Sequence, residues 1–354
     1  MRRILRGLQW VWPPLALAVV ALLAVSAYKG WQITHPPRQH GTLNPATGAS
    51  LDYRCLPLTP PVVCTSDATL HTPREHIPLA AWIVPSYSNI YPGSSGDWSQ
   101  DTVVLVPNHG QSRTSASFPV WAVTKALYDA GFNVVLFDPR GTGASGGAGI
   151  GFGTVEVNDL MTVVRYLQSL GPPQGHVAVW GLGTGADTAI LAAARSRTIS
   201  AVIADSPYVS ADGYLRRSIP RWTGLPAFPF SESILWAMQR ETGIDYAAYD
   251  PLRAVTALGG GHPRPLLLVA GASDTTTPPA DVQRLFAASH DSLARKLVVP
   301  GAGHLEAFAR SGPSRRDPQY TQYMCRVLLV LREMAQPDVA PATLGACGAG
   351  TAAS

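Results

Sequence analysis

The fold is decided by the ten residues VAVWGLGTGA at positions 177–186. They begin as an apolar strand, pass through glycines at alternate positions and continue into a stretch of small residues. This pattern is typical of the sharp strand–turn–helix motif that presents a nucleophile, which needs a small residue two positions before the nucleophile and another two positions after it. Gly181 and Gly185 meet that need, so Gly183 stands where the motif G-x-S-x-G has its serine.

Glycine at position 183 leaves the motif without an atom that could attack a carbonyl group. The nucleophile position normally has a positive φ, which costs a residue with a side chain about 1–3 kcal/mol. Glycine takes up this conformation almost without strain. An alternative frame makes Thr184 the nucleophile, but it places the bulky Leu182 two positions earlier, where the turn needs a small residue. Gly183 therefore matches the nucleophile position better.

Two further residues follow predicted strands in the order expected of a hydrolytic triad. Asp274 comes shortly after the apolar run at residues 266–270, and His304 ends the segment Gly301-Ala302-Gly303-His304. Taken singly, each fits a helix cap or a solvated loop. Their joint spacing after the turn predicts that His304 is a general base and that Asp274 fixes the tautomer of its ring.

A separate loop is predicted to supply an oxyanion hole. The segment Asn108-His109-Gly110-Gln111 follows a predicted strand, at the place where such a loop lies. The backbone N–H groups of Gln111 and Thr184 are the predicted donors. We expect the side chain of His109 to be structural, and the Ser112 hydroxyl is an alternative nucleophile.

Short β-rich runs alternate with longer helical runs through most of the chain. This alternation predicts an α/β fold with an eight-stranded, mainly parallel sheet and helices on both faces. The predicted strands are Thr69–Thr72, Ile77–Val84, Thr102–Pro107, Asn133–Phe137, Val177–Trp180, Ala201–Ala204, Pro265–Ala270 and Lys296–Val299. The predicted helices are Ser117–Ala130, Val155–Leu170, Gly185–Ser196, Pro278–Ser289 and Tyr320–Ala335. The aromatic-rich stretch at about 208–250 is too long for a simple crossover, so we interpret it as a helical cap over the carboxyl edge of the sheet.

In this order the motifs resemble the α/β-hydrolase superfamily and, within it, the serine aminopeptidase and prolyl-oligopeptidase-like group of esterases and peptidases. The resemblance covers roughly residues 68–335. The segments that carry it are Asn108-His109-Gly110, residues 138–146, the turn at 181–185, Asp205-Ser206-Pro207, Asp250-Pro251-Leu252, Asp274 and Gly301-Ala302-Gly303-His304. The resemblance implies hydrolysis of an ester, amide or peptide bond through an acyl-enzyme, without a cofactor. Gly183 departs from the family's serine.

Two functions from different classes follow. The first is a non-catalytic or very weakly active homologue that binds a small or peptidic ligand under the cap. The second is an active esterase or peptidase in which His304 deprotonates a water molecule or another group replaces the serine. The relaxed glycine turn favours the first hypothesis, and the retained Asp274 and His304 favour the second.

Nucleotides and nucleic acids are disfavoured as partners. Residues 141–146 spell G-x-G-x-x-G after a strand, but the glycines continue through Gly153 and no helix opens at Gly146, as a dinucleotide site requires. The formal net charge of +4 is spread without a basic cluster, which argues against nucleic-acid binding. No metal or cofactor is expected, and the sequence gives no indication of the oligomeric state.

The N-terminus predicts a membrane anchor. The 22 residues between Arg6 and Lys29 are uncharged, which is enough to cross a hydrocarbon core of about 30 Å as a helix. Arginines before the run place the N-terminus in the cytoplasm and the rest of the chain outside it. A cleaved signal peptide, followed by secretion, is the alternative, because residues 25–27 are small enough for cleavage.

The remaining segments complete the domain prediction. Residues 1–31 are the anchor or signal, 32–66 an extracytoplasmic linker rich in proline, threonine and glycine, 67–335 the hydrolase domain, and 336–354 a tail. Four cysteines in an exported chain predict two disulfides. The favoured pairs are Cys55 with Cys64 and Cys325 with Cys347, and four free thiols are the alternative.

Overall fold

The computed structural model describes residues 2–38, 55–56, 63–64, 66–85, 101–115, 120–169, 175–258, 264–290, 292–311 and 321–335. The strands are β1 (Cys55–Leu56), β2 (Val63–Cys64), β3 (Ser66–His71), β4 (Pro78–Val84), β5 (Thr102–Val106), β6 (Asn133–Phe137), β7 (Val177–Leu182), β8 (Ile199–Asp205), β9 (Leu266–Gly271) and β10 (Ala294–Val299). The α-helices are α1 (Arg2–Thr34), α2 (Val120–Asp129), α3 (Glu156–Ser169), α4 (Thr184–Arg195), α5 (Ala211–Thr223), α6 (Ala227–Thr242), α7 (Pro251–Thr256), α8 (Pro279–Ser289), α9 (Ala307–Arg310) and α10 (Gln322–Ala335).

Eight strands form the central sheet, in the order β10-β9-β8-β7-β5-β6-β4-β3. The pairs β3–β4 and β4–β6 are antiparallel, and the other five pairs are parallel. Apolar side chains from both faces of the sheet are buried, because helices cover each face and exclude water from it. The predicted eight-stranded, mainly parallel fold is therefore confirmed.

The carboxyl ends of four neighbouring strands position the site. Gly183 follows β7, Ser206 follows β8, Asp274 lies three residues after β9, and His304 lies in the loop after β10. Since β7, β8, β9 and β10 run parallel, their carboxyl ends meet at one edge of the sheet. Chain order and sheet order together bring the three predicted triad positions to this edge.

The stretch predicted as a cap contains α5 and α6, which have an apolar core of their own. This core includes Tyr208, Tyr214, Ile234 and Met238, all nearly inaccessible to solvent. Phe152 joins it from the loop before α3. The cap is therefore packed against the body of the domain.

Helix α1 is docked on the cap over its last turns. Residues Pro13–Thr34 are long and apolar enough to cross a membrane, as the N-terminal run predicted by length and composition. The hydroxyl of Ser26 donates to Ser233 at 2.7 Å, and that of Thr34 donates to Glu241 at 2.9 Å. The helix ends three residues beyond the predicted anchor.

The chain after α1 stays on the domain as far as Arg38. The Arg38 guanidinium donates to the carbonyl oxygens of Ser145 and Gly147, at 2.9 and 2.7 Å. The segment predicted as a linker thus begins in contact with the loop after β6, and its residues 39–54, 57–62 and 65 lie outside the described residues. The predicted tail, 336–354, lies outside them as well.

A two-stranded antiparallel ladder of β1 and β2 places the backbone of Cys55 opposite that of Cys64. Residues opposite each other in such a ladder have Cα atoms about 4.5–5.5 Å apart, within the usual disulfide range of about 4.4–6.8 Å. The sequence pattern did not predict this ladder. Cys347 lies outside the described residues, and both pairings stay predictions.

Candidate active site

Gly183 forms the tip of the turn between β7 and α4, with φ of 54° and ψ of −123°. L-residues with side chains rarely adopt this conformation, which is the strained one expected of a nucleophile position. A Cβ at Gly181 would collide with the carbonyl oxygen of Gly185, and a Cβ at Gly185 would collide with that of Val106. The turn therefore needs glycine at both flanking positions.

The side chain of Asn108 fills the space beside Gly183. A Cβ placed on Gly183 would lie 2.7 Å from Cγ of Asn108, closer than real atoms approach. The Asn108 side-chain oxygen Oδ1 accepts hydrogen bonds from the backbone N–H of Thr184 at 3.1 Å and from the Thr184 hydroxyl at 3.2 Å. A side chain at position 183 would therefore require the Asn108 amide to move.

The two predicted oxyanion donors are both engaged by Asn108. The N–H of Thr184 donates to its side chain, and the N–H of Gln111 donates to its backbone carbonyl at 3.1 Å. The N–H of His109 donates to the Thr184 hydroxyl at 2.9 Å. A substrate carbonyl would have to displace the Asn108 amide from Thr184 before it could use that donor.

Asp274 and His304 form a close pair. Nδ1 of His304 lies 2.9 Å from Oδ2 of Asp274, and Asp274 is buried while His304 is partly exposed. Burial opposes ionisation of Asp274, but the hydrogen bond and charge of His304, with donors from Thr277, outweigh it and hold the pKa of Asp274 below its usual value. With Nδ1 donating to this carboxylate, Nε2 of His304 is the basic nitrogen.

Thr277 is a member of the site that the sequence did not assign. Its hydroxyl donates to Oδ2 of Asp274 at 2.8 Å and lies 3.1 Å from Nδ1 of His304. The backbone N–H groups of Thr276 and Thr277 donate to the other carboxylate oxygen. This hydroxyl faces the Asp274 side of the imidazole, so it holds the pair and is not a nucleophile for Nε2. The spacing Asp274-x-x-Thr277 before two prolines was the available signal.

A buried polar chain supports the loop that carries His304. The Ser206 hydroxyl donates to Asp205 at 2.9 Å and accepts from the N–H of Leu305 at 3.4 Å. The Tyr323 hydroxyl donates to the second oxygen of Asp205 at 3.0 Å. Burial raises the pKa of Asp205 to about 6, although the bonds from Ser206 and Tyr323 act in the other direction. The sequence indicated Asp205-Ser206 as part of a motif but did not predict this supporting role.

The ring of His109 lies in an aromatic wall below the cap. Its centroid is 5.1 Å from that of Phe152 and 5.6 Å from that of Trp222, and its Nδ1 is 3.0 Å from Oδ1 of Asn108. Burial, with a smaller contribution from the charge of His304, lowers the pKa of His109 to about 4. His109 is therefore neutral at pH 7, and it braces Asn108.

The alternative nucleophiles have other partners. The Thr184 hydroxyl bonds to Asn108 and His109. Ser112 is buried, and its hydroxyl lies 3.0 Å from that of Thr114. Among the residues that the structure describes, no protein group forms a hydrogen bond with Nε2 of His304.

The glycine-rich loop at 138–147 is a closed structural turn. Asp138 accepts hydrogen bonds from the backbone N–H groups of Arg113 and Ala144, at 2.7 and 2.8 Å. The Arg113 guanidinium also pairs with Asp138 at 2.7 Å. The loop's polar groups bond within the protein, and the described residues contain no group of three or more His, Cys, Asp or Glu side chains that could hold a metal ion.

A cavity of about 340 Å³ opens beside the oxyanion loop. The cap contributes Trp222 and Thr223, and the oxyanion loop contributes His109 and Gly110. Ile150 and Phe152 come from the loop before α3. The rest of the wall comes from the end of α1 and the following turn, namely Lys29, Gln32, Ile33, Pro36 and Pro37. A ligand in this cavity would touch both the site and the N-terminal helix.

Sequence comparison places the chain among α/β-hydrolases. The sequence profile of the Prolyl oligopeptidase family matches residues 117–328. The uncharacterized protein YfhR of Escherichia coli (strain K12) is 22% identical over 255 residues, which is 72% of this chain and 78% of YfhR. The uncharacterized protein YqkD of Bacillus subtilis (strain 168) is 28% identical over 160 residues, or 45% of this chain and 51% of YqkD.

Solved structures share the fold. The Pyrococcus furiosus esterase Pf2001 superposes with a TM-score of 0.61 at 21% identity, covering 85% of this chain and 97% of the esterase. The α/β-hydrolase GrgF from Penicillium sp. sh18 superposes with a TM-score of 0.52 at 20% identity, covering 69% of this chain and 92% of GrgF. At these identities the likeness concerns the fold alone.

Proposed function

The chain belongs to the prolyl oligopeptidase family, and from this premise we propose that it binds a small-molecule or peptide ligand under the cap without forming an acyl-enzyme. The observation that carries the proposal is the Asn108 side chain, which fills the space beside Gly183 and takes up the Thr184 N–H. The Asn108 amide therefore occupies the space that a serine side chain would need and bonds to one of the predicted oxyanion donors.

The chemistry of the family supports the same conclusion. Removing the nucleophile from a serine protease costs about six orders of magnitude in turnover and leaves roughly 10³–10⁴ over water. That remainder depends on the oxyanion hole and on binding. Here the predicted oxyanion donors Gln111 and Thr184 already bond to Asn108, so even the remainder is reduced.

A second function is favoured by the Asp274–His304 pair. The 2.9 Å contact between Nδ1 of His304 and Oδ2 of Asp274, and the lowered pKa of Asp274, support a role for His304 as a general base. A water molecule held at Nε2 of His304 would then be the nucleophile of a slow esterase or peptidase. This alternative predicts hydrolysis that depends on His304 and leaves no covalent intermediate.

Hydrolysis of p-nitrophenyl acetate by the full chain in detergent micelles separates the two functions. We expect the native protein and His304→Ala to give the same rate, and neither to be labelled by a fluorophosphonate. A native rate that clearly exceeds that of His304→Ala would contradict the binding function and support the water mechanism. Labelling of the native protein would contradict both.

We also propose that α1 is an uncleaved anchor with its N-terminus in the cytoplasm and the domain outside, the alternative being secretion after cleavage. The support is the length of the apolar helix and the arginines that precede it. The two predicted disulfides would also need an oxidising compartment, and the backbone of Cys55 lies opposite that of Cys64. Protease treatment of spheroplasts should degrade the domain, and intact-mass analysis should find Met1 or Arg2 at the N-terminus. Protection of the domain, or an N-terminus near residue 28, would contradict the topology.

A further inference from the structure

The end of α1 and the cap helix α6 lie side by side and point in the same direction. The hydrogen bonds Ser26–Ser233 and Thr34–Glu241 both join residues 207 positions apart. Between them, Gly30 lies against Met238. A constant offset along two helices means that they run parallel and in register.

This register carries the start of α6 toward the membrane. Phe228 is non-helical, with φ of −98° and ψ of 132°, so the regular part of α6 begins at Pro229. The same offset places Pro229 near the level of Leu22, about 6 Å beyond Ser26 along the helix axis at a rise of about 1.5 Å per residue, and Phe228 directly precedes it. Within the candidate span Pro13–Thr34, decreasing residue numbers lead into the hydrocarbon. The α5–α6 turn therefore reaches the depth at which α1 itself is apolar on all sides.

The composition of that turn fits such a place. Residues 222–230, here called the cap tip, contain no charged residue. Phe228 is 86% exposed, and Trp222 is 36% exposed. Exposed aromatic side chains on an uncharged turn are unfavourable in water and mark a surface that contacts something apolar.

Side chains of the interfacial type follow the level of the cap tip along both helices, on the side away from the hydrocarbon. Tyr28 and Trp31 on α1 and Trp236 on α6 are about half exposed. Glu232, one turn beyond Phe228 on α6, is exposed and pairs with Arg216. Aromatic residues gather at the boundary between hydrocarbon and water, where charged groups also remain hydrated. The positions of these aromatic residues and of Glu232 limit how deeply the cap tip can enter the bilayer.

We propose that the cap tip inserts into the lipid bilayer beside α1, and that the ligand of the cavity is a membrane-borne amphiphile with an acyl chain. Trp222 and Thr223 belong both to the tip and to the cavity wall, and Trp222 packs on His109. An acyl chain that leaves the bilayer at the cap tip therefore enters the cavity beside the loop at residues 108–111. The inference rests on the proposed anchor and names the ligand class of the same site.

Depth-dependent quenching tests the insertion. The full chain is reconstituted into vesicles of phosphatidylethanolamine and phosphatidylglycerol, with an environment-sensitive NBD label on Phe228→Cys. The matched control is Gln283→Cys, an exposed position on α8, and unsubstituted protein gives the background from the native cysteines. We expect acyl-chain doxyl lipids to remove most of the fluorescence at 228 and little at 283.

The possible failures are distinguishable. Protein that alkaline carbonate extracts from the vesicles would overturn the anchor and this inference with it. Protein that is retained but equally unquenched at 228 and 283 would overturn the inference alone. Oxidative cross-linking of two copies through position 228 would also overturn it, because the tip would then be a contact between copies. The hydrolysis comparison of native protein with His304→Ala is independent of all three.

Photolabelling tests the ligand class. A phosphatidylcholine with a diazirine in its acyl chain is added to the same vesicles, and labelled peptides are identified by mass spectrometry. We expect labels on the segments that hold Phe152 and Trp222 as well as on α1. Phe228→Asp, a change at an exposed position, should lower the cap labels several-fold and leave those on α1. Labels confined to α1 in the native protein would overturn the proposed ligand.

Discussion

The two halves of the site differ in how their polar groups are satisfied. At the carboxyl ends of β9 and β10, Asp274 and His304 bond to each other, and no described protein group forms a hydrogen bond with Nε2 of His304. At the carboxyl end of β7, Asn108 has closed the turn by bonding to Thr184 beside Gly183. Each half is complete without the other. The Asp274–His304 pair is therefore held together independently of the turn at Gly183.

The largest expected effect comes from restoring a serine at the turn after β7, where Asn108 lies beside Gly183. Gly183→Ser alone should remain unreactive, because Asn108 occupies the space beside the new Cβ and the Thr184 N–H. Adding Asn108→Ala frees both, and we expect the double variant to react with a fluorophosphonate roughly 10²–10³ faster, the worth of one oxyanion donor.

The rate of label incorporation measures this gain, and His304→Ala in the double-variant background is the control that should abolish it. Equal labelling of the single and double variants would show that Asn108 does not close the site.

The next largest effect is on stability. Gly183→Ala should lower the free energy of unfolding by about 3 kcal/mol, since it adds backbone strain to a steric clash. Gly224→Ala is the matched control, because Gly224 also has a positive φ, of 69°, but has open space around it. We expect it to cost about 1 kcal/mol. Urea unfolding in detergent micelles measures both.

A double-mutant cycle isolates the clash. Asn108→Ala should recover part of the loss in Gly183→Ala and none of the loss in Gly224→Ala. If the Asn108 substitution adds the same cost to both glycine variants, the proposed complementarity between Gly183 and Asn108 is wrong.

A smaller effect is expected at the Asp274–His304 pair. Thr277→Val removes a donor to the buried carboxylate of Asp274, at a cost of about 1–2 kcal/mol. A lowered pKa contributes stability that is fully present above the unfolded value and is lost as pH falls through the folded value. Because this donor helps to lower the pKa of Asp274, the variant has less of this stability, and its acid unfolding midpoint should lie at a higher pH. Thr275→Val, at an exposed position, should leave the acid unfolding midpoint unchanged.

The smallest expected effect is on the pH dependence of folding stability, to which His109 and Asp205 contribute in opposite directions. Burial lowers the pKa of His109 from 6.5 to about 4, so His109 makes the fold more stable as pH rises through that range. Burial raises the pKa of Asp205 from 3.8 to about 6, so Asp205 makes the fold less stable as pH rises through its range. In the native chain the two slopes largely offset each other.

Thermal unfolding between pH 4 and 6.5 reveals each slope separately. His109→Phe should become less stable relative to the native protein as pH rises, and Asp205→Asn should become more stable. If the stability of both variants changed with pH in the same direction relative to the native protein, the pKa shifts assigned to His109 and Asp205 would be wrong.

The fold and the Asp274–His304 pair were predictable because both depend on local order. Strand periodicity, the glycines around Gly183 and the positions of Asp274 and His304 after strands lie within short segments. The part played by Asn108 was not predictable, since it depends on a contact across 75 residues between two loops. The aromatic pattern indicated the cap, but nothing local showed that α6 would align with α1.

The contact of α1 with the cap has a consequence for processing of the chain. Signal cleavage after residues 25–27 would cut the helix where Ser26 meets Ser233, and a departing peptide would take the first turn of that contact with it. In any shed form, the end of α1 that lines the cavity would be shorter and would have fewer contacts with the cap. If the proposed ligand binds in this cavity, cleavage would both release the domain from the cell surface and weaken that binding.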